Sequence, residues 1–99
     1  MGVHFLRKAQ VVAGKTDEAS AFAADISTHW NETYGTNVTW GFEIGGAVGT
    51  IYWMTDYDSL AAFEEVMQAS MTNAETNKML DDSVGLFVGR PTDTIIYTM

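Results

Sequence analysis

The sequence predicts an α+β fold whose elements run strand, helix, strand, strand, helix, strand. Three observations predict it. Val38, Trp40, Phe42 and Ile44 alternate with Thr39, Gly41 and Glu43, the period of a strand with one apolar face. Gly45-Gly46 follows and leads into a second strand-like run, Ala47 to Met54, so the pair reads as a hairpin. Two helical patterns flank that hairpin: Ala19, Phe22, Ala23, Ile26 and Trp30 before it, Leu60, Phe63, Met67 and Met71 after it.

Each element can be justified in turn. Val3 to Ala13 is a β-compatible run and forms the first strand. Gly14-Lys15 turns the chain. Thr16 or Asp17 caps the first helix, and Asp17 and Glu18 lie in its opening turn, where the helix dipole favours acids. The helix should close at Tyr34-Gly35, because glycine adopts the left-handed conformation that ends helices. With Gly45-Gly46 as a two-residue turn, Ile44 faces Ala47, Phe42 faces Gly49, Trp40 faces Ile51 and Val38 faces Trp53. Asp56 to Ser59 supplies a cap for the second helix, whose apolar stripe Val66 widens. Thr72-Asn73-Ala74-Glu75 fits a capping box and starts a short third helix, which brings Met79 and Leu80 inward. Val84 to Val88 is an apolar connection with no period to assign it. Pro91 precedes a last strand around Thr94 to Met99. This order is the ferredoxin-like split βαβ plan, a four-stranded antiparallel sheet with helices on one face. Neither a linker nor a repeat interrupts it, so residues 1–99 read as a single domain.

Composition narrows the function. A chain of 99 residues buries only about two-thirds of its unfolded surface, yet 46% of its residues are apolar and 12% aromatic. Either the core is dense or some apolar surface meets a partner or ligand. The formal net charge is −8, and the five basic residues are scattered. Nucleic acid and anionic membrane surfaces need clustered Lys and Arg, so neither is an expected partner. There is no cysteine, which removes disulfides, thiolate nucleophiles and Cys-type zinc sites. The opening Met1 to Lys8 has no apolar signal core and no apolar run reaches membrane length. A cytoplasmic setting is the expectation.

Strand alternation sorts the side chains onto two faces. Val3, Phe5, Ala9 and Val11 of the first strand point toward the helices, with Arg7 among them. The opposite face carries Leu6, Val12, Val48, Tyr52 and Met54, too apolar for a plainly solvated sheet. So short a chain cannot cover that face itself. A second copy packing sheet to sheet about a two-fold axis would.

The run Ile51-Tyr52-Trp53-Met54-Thr55-Asp56-Tyr57-Asp58-Ser59-Leu60-Ala61-Ala62-Phe63-Glu64 passes from an aromatic strand through a polar turn into a Leu-started helix. In this it resembles the dimeric α+β barrel superfamily, and within it the NIPSNAP-like and antibiotic-biosynthesis-monooxygenase-like group. Val11-Val12-Ala13-Gly14-Lys15 before the first helix is a second match. The resemblance implies two ferredoxin-like protomers sharing a barrel through their open sheet faces. The superfamily holds cofactor-independent monooxygenases, haem-degrading enzymes, cyclases, ring assemblies and proteins without known activity, so it implies no single reaction. His29-Trp30-Asn31 holds the residue types of the haem-degrading members, but helix neighbours point in different directions and the triad does not carry over.

A few residues stand out as candidates for chemistry. Arg7, placed among aromatics, needs an anionic ligand, an internal Asp or Glu, or a route to solvent. His29 is either a general base or a solvated residue near a helix C-terminus. Trp40, Trp53 and Tyr52 offer aromatic walls and a hydroxyl. Together Arg7, His29, Trp40, Trp53 and Tyr52 define the expected contacts of a small apolar or aromatic ligand between helices and sheet. His4 and His29 are too isolated to read as a metal site, and no cofactor is implied. The expectation is a small-molecule binding protein, with cofactor-independent oxygenation as the enzymatic form of that reading. The alternative is a non-catalytic homodimer whose aromatic residues are all structural.

Overall fold

The computed structural model describes residues Met1–Met99. Its elements are β1 (Gly2–Gln10), α1 (Thr16–Tyr34), β2 (Thr39–Phe42), β3 (Thr50–Tyr57), α2 (Leu60–Met71), α3 (Ala74–Asp82) and β4 (Thr92–Thr98). The four strands form one antiparallel sheet in the order β2-β3-β1-β4. This is the ferredoxin-like βαββαβ arrangement, with α3 added after α2.

Local chemistry sets most boundaries. α1 ends at Gly35, whose φ of 67° is left-handed and whose amide donates to the Asn31 carbonyl. Its start differs from expectation: Lys15 occupies the cap position and no side chain caps the helix. α2 opens on Ser59, whose hydroxyl accepts from the Ala62 amide at 3.1 Å. α3 opens on Asn73, which accepts from the Thr76 amide at 2.8 Å. Asn73, rather than Thr72, is therefore the capping residue.

The β2–β3 hairpin departs from the expected register. Trp40 pairs with Trp53 and Phe42 with Ile51, a slip of two residues from the tight Gly45-Gly46 turn. The cause is Glu43. Its carboxylate accepts the Ala47 amide at 2.6 Å and the Tyr52 hydroxyl at 2.5 Å, closing a wider loop around itself. A side chain at Gly46, where φ is 64°, would collide with that carboxylate. An even slip leaves the paired strand residues on their original faces, whereas Ile44 and Val48, expected in the strands, fall in the loop and are exposed.

Two apolar clusters hold helices and sheet together. Ala19, Ala23 and Ile26 of α1 pack on Ala9, Ile51 and Trp53. Phe63 of α2 packs on Val3, Phe5 and Tyr57. The 84–88 connection joins the first cluster. The Val12 amide donates to the Leu86 carbonyl and the Val88 amide to the Gln10 carbonyl, so this strap prolongs the sheet beyond β1 and seats Phe87 against Trp53. Neither cluster reaches across β4, where Ile95, Ile96 and Tyr97 stay about half exposed. The open face of the sheet carries Leu6, Tyr52, Met54 and Ile96 with no helix over them.

Candidate functional site

The two clusters leave a cleft of about 510 Å³ on the helix side of the sheet, lined by members of both. Its floor is β1 and β3, with Phe5, Arg7, Trp53, Thr55 and Tyr57. One wall is α1, through Phe22, Ile26 and Trp30. The other comes from the ends of α2 and α3, through Met67, Met71 and Leu80, and Phe87 of the strap and Pro91 just before β4 close the rim. Strand alternation explains the floor. Residues 53, 55 and 57 share one face of β3 at a repeat of about 6.7 Å, and Arg7 lies directly across from Trp53 in the register.

This floor has an unusual polar feature. Trp53, Thr55 and Tyr57 are 8%, 4% and 7% exposed, yet the Trp53 Nε1, Thr55 Oγ1 and Tyr57 Oη atoms have no hydrogen-bond partner. A buried polar group left unpaired costs about 1–3 kcal/mol, and native structures carry few of them. Here three fall in a row on one strand. Burial pushes the Tyr57 phenol up. The Trp30 indole and the Arg7 charge pull it the other way, and neither gives the hydroxyl a hydrogen bond of good geometry.

Arg7 is the only charged residue lining the cleft. It faces the helix side as alternation requires, with its side chain 35% exposed. Its Nε donates to Asp93 Oδ1 at 2.7 Å and its Nη2 to Asp93 Oδ2 at 2.9 Å. Arg7 and Asp93 are register partners in β1 and β4, so the backbone itself aligns this fork. The guanidinium also lies over the Phe5 ring, 5.7 Å from its centroid. Of the three fates open to Arg7 in the sequence, the internal carboxylate is the one adopted.

The remaining expected contacts lie elsewhere. Trp40 packs beside the α1 cluster and against Phe42, outside the cleft lining. Tyr52 points to the open face, where the Glu43 hydrogen bond holds its hydroxyl and raises its pKa. The same bond is the largest reason that the Glu43 carboxyl falls below its ordinary value. His29 is neither in the cleft nor solvated. It is buried between α1 and α3, with Nε2 hydrogen-bonded to Thr76 Oγ1 at 2.6 Å, and that oxygen in turn bonded to Tyr34 Oη at 2.9 Å. Glu75 approaches its Nδ1 at 3.7 Å from the surface. The cleft therefore unites Arg7 and Trp53 and leaves out Trp40, Tyr52 and His29. Thr55 and Tyr57 went unnoticed in the sequence, although each lies an even number of residues from Trp53. No group of three or more His, Asp or Glu side chains is placed to hold a metal ion, and no helix is long and apolar enough to cross a membrane.

Solved structures of NIPSNAP family proteins share this ferredoxin-like fold along the whole chain. A NIPSNAP family protein of Agrobacterium tumefaciens superposes with a TM-score of 0.85 at 13% identity, covering 100% of this chain and 94% of its own. A NIPSNAP-like domain protein of Burkholderia xenovorans gives 0.82 at 9% identity over 99% of this chain and 85% of its own. An antibiotic-biosynthesis-monooxygenase-like protein of Nitrosomonas europaea gives 0.78 at 9% identity over 99% and 90%. No protein-family model and no curated protein sequence matches the chain.

Proposed function

We propose that residues 1–99 act as one domain that binds a small apolar or aromatic molecule in the cleft between helices and sheet, and that the working form is a homodimer joined through the open sheet faces. The observation that carries the binding reading is the floor of the cleft. Three adjacent floor residues of β3 hold buried polar atoms without partners beneath an otherwise apolar space of about 510 Å³. Ligand sites combine apolar walls with a few polar groups in this way. The homodimer reading is supported by the exposed apolar residues of the open face and of β4.

Binding fits the cleft better than catalysis does. No histidine or carboxylate lines it. Its one phenol, Tyr57, has its pKa raised by burial and holds its proton at neutral pH, so it serves as a hydrogen-bonding group rather than a base. Cofactor-independent oxygenation is the enzymatic version of this reading, and the Nitrosomonas europaea neighbour is described as an antibiotic biosynthesis monooxygenase. A cytoplasmic setting is consistent with a chain of net charge −8 that has no cysteine.

A panel of one- to three-ring aromatic ketones and phenols tests the reading by tryptophan fluorescence and thermal shift. Trp53 and Trp30 line the cleft, so an occupant should quench emission saturably and raise the melting temperature. Ser70→Phe fills the cleft from the α2 wall and should abolish both responses. If no compound raises the melting temperature, or if Ser70→Phe responds like the natural chain, the cleft is not a ligand site. The non-catalytic structural homodimer then takes its place.

A further inference from the structure

We propose that the Arg7–Asp93 pair makes the cleft selective for uncharged ring compounds bearing an acceptor oxygen, and that Asp93 is the residue that sets this selectivity. The inference rests on the cleft being a ligand site. It starts from the charge inventory. Arg7 is the one charged residue in the lining, and a lone arginine in an apolar cleft would ordinarily mark a carboxylate or phosphate site. Here the guanidinium is already taken. Asp93 binds it through both oxygens, at 2.7 and 2.9 Å, and the β1–β4 register holds the two residues opposite each other. The pair carries no net charge. An anion entering the cleft would meet a guanidinium whose charge Asp93, just outside the lining, already offsets, on a chain whose overall charge is −8. No second cation lines the space to offset the loss of the anion's hydration.

A neutral acceptor faces none of that opposition. Two of the five guanidinium N–H groups serve Asp93, which leaves three to donate. The other unpaired polar atoms lie in the floor beneath the lining surface. Trp53 Nε1 can only donate, while the Thr55 and Tyr57 hydroxyls donate or accept. A ring compound with a carbonyl oxygen at one edge offers the guanidinium the acceptor it lacks. A carboxylate is matched only if Asp93 lets go of Arg7.

The test compares two probes of one shape, 2-acetylnaphthalene and 2-naphthoate, by equilibrium dialysis against the full chain at neutral pH. The natural chain should hold the ketone about tenfold tighter or more, a difference readily resolved by dialysis. Asp93→Asn keeps the shape, removes the charge and frees Arg7. It should shrink the ketone-to-naphthoate ratio by about tenfold or reverse it. Asp93→Thr, a residue suited to an edge strand, makes the same comparison should the asparagine form misfold. A natural chain that binds naphthoate as tightly as the ketone overturns the inference, and so does a ratio that survives loss of the Asp93 charge. If the natural chain retains neither probe, the reading of the cleft as a ligand site falls, and the selectivity with it.

Discussion

Thr76 contributes one hydroxyl to two partners, the buried His29 imidazole and the half-buried Tyr34 phenol. With 1% of its surface exposed, it has no water to replace either bond. Thr76→Val keeps the volume and deletes the hydroxyl, which should destabilise the fold by about 1–3 kcal/mol in urea denaturation. Thr76→Ser should recover most of that loss. Equal stability of the valine and natural forms would mean that the His29 network contributes nothing. His29 shows how residue-scale chemistry escapes a linear reading. Thr33, one turn on, reaches its Nδ1 at 3.3 Å, but the shorter bond, to Nε2, comes from Thr76, 47 residues away. Asn31 likewise reads as an ordinary helix residue. In the fold it staples the α1–β2 connection, with Oδ1 accepting the Val38 amide at 2.7 Å and Nδ2 donating to the Val38 carbonyl at 3.1 Å.

The β2–β3 hairpin depends on the Glu43 carboxylate being ionised. The Tyr52 hydroxyl, then the Ala47 amide, hold its pKa below the ordinary 4.5. A depressed carboxylate pKa favours the native hairpin above about pH 4.5, and that contribution fades as pH falls through the lower native value. Tyr52 shifts the opposite way, so its share is present below its ordinary value of 10.0 and fades as pH rises through the raised one. Tyr52→Phe should therefore bring the Glu43 midpoint back up toward 4.5, read from the side-chain carboxyl carbon by NMR titration. A midpoint that does not move would assign the shift to the Ala47 amide alone. Alternation identified both strands and both faces of this hairpin from the sequence. The register followed a side chain instead, because a carboxylate able to take a backbone amide and a phenol outweighs the turn preference of Gly45-Gly46.

Across the whole molecule, the helices cover one side of the sheet and leave the other bare, with Leu6, Tyr52, Met54 and Ile96 in view. A second copy packed on that face should give a particle of twice the chain mass in light scattering. Ile96→Lys places a charge on the bare face, where half-exposure makes it harmless to the single chain, and should shift the particle to the mass of one chain. A natural chain that already scatters as a single copy would refute the homodimer. The cleft belongs to this scale too. It exists because the α1 and α2 clusters meet the sheet at separate places, and no local pattern encodes a gap between two well-packed clusters.

By itself the sequence determined the order of elements, the helix ends at Gly35 and Ser59 and the two faces of the sheet. Those features rest on periodicity and on contacts a few residues apart, which a linear reading can follow. Tertiary structure alone decided the pairing of Arg7 with Asp93, the burial of His29 against Thr76 and the line of unpaired groups at Trp53, Thr55 and Tyr57. The physical reason is separation along the chain. Arg7 and Asp93 are 86 residues apart and meet only because β4 returns to pair with β1. A charge exposes its fate in the sequence when its partner is one helical turn away, as with Lys78 and Asp82, and conceals it when the partner arrives on the last strand.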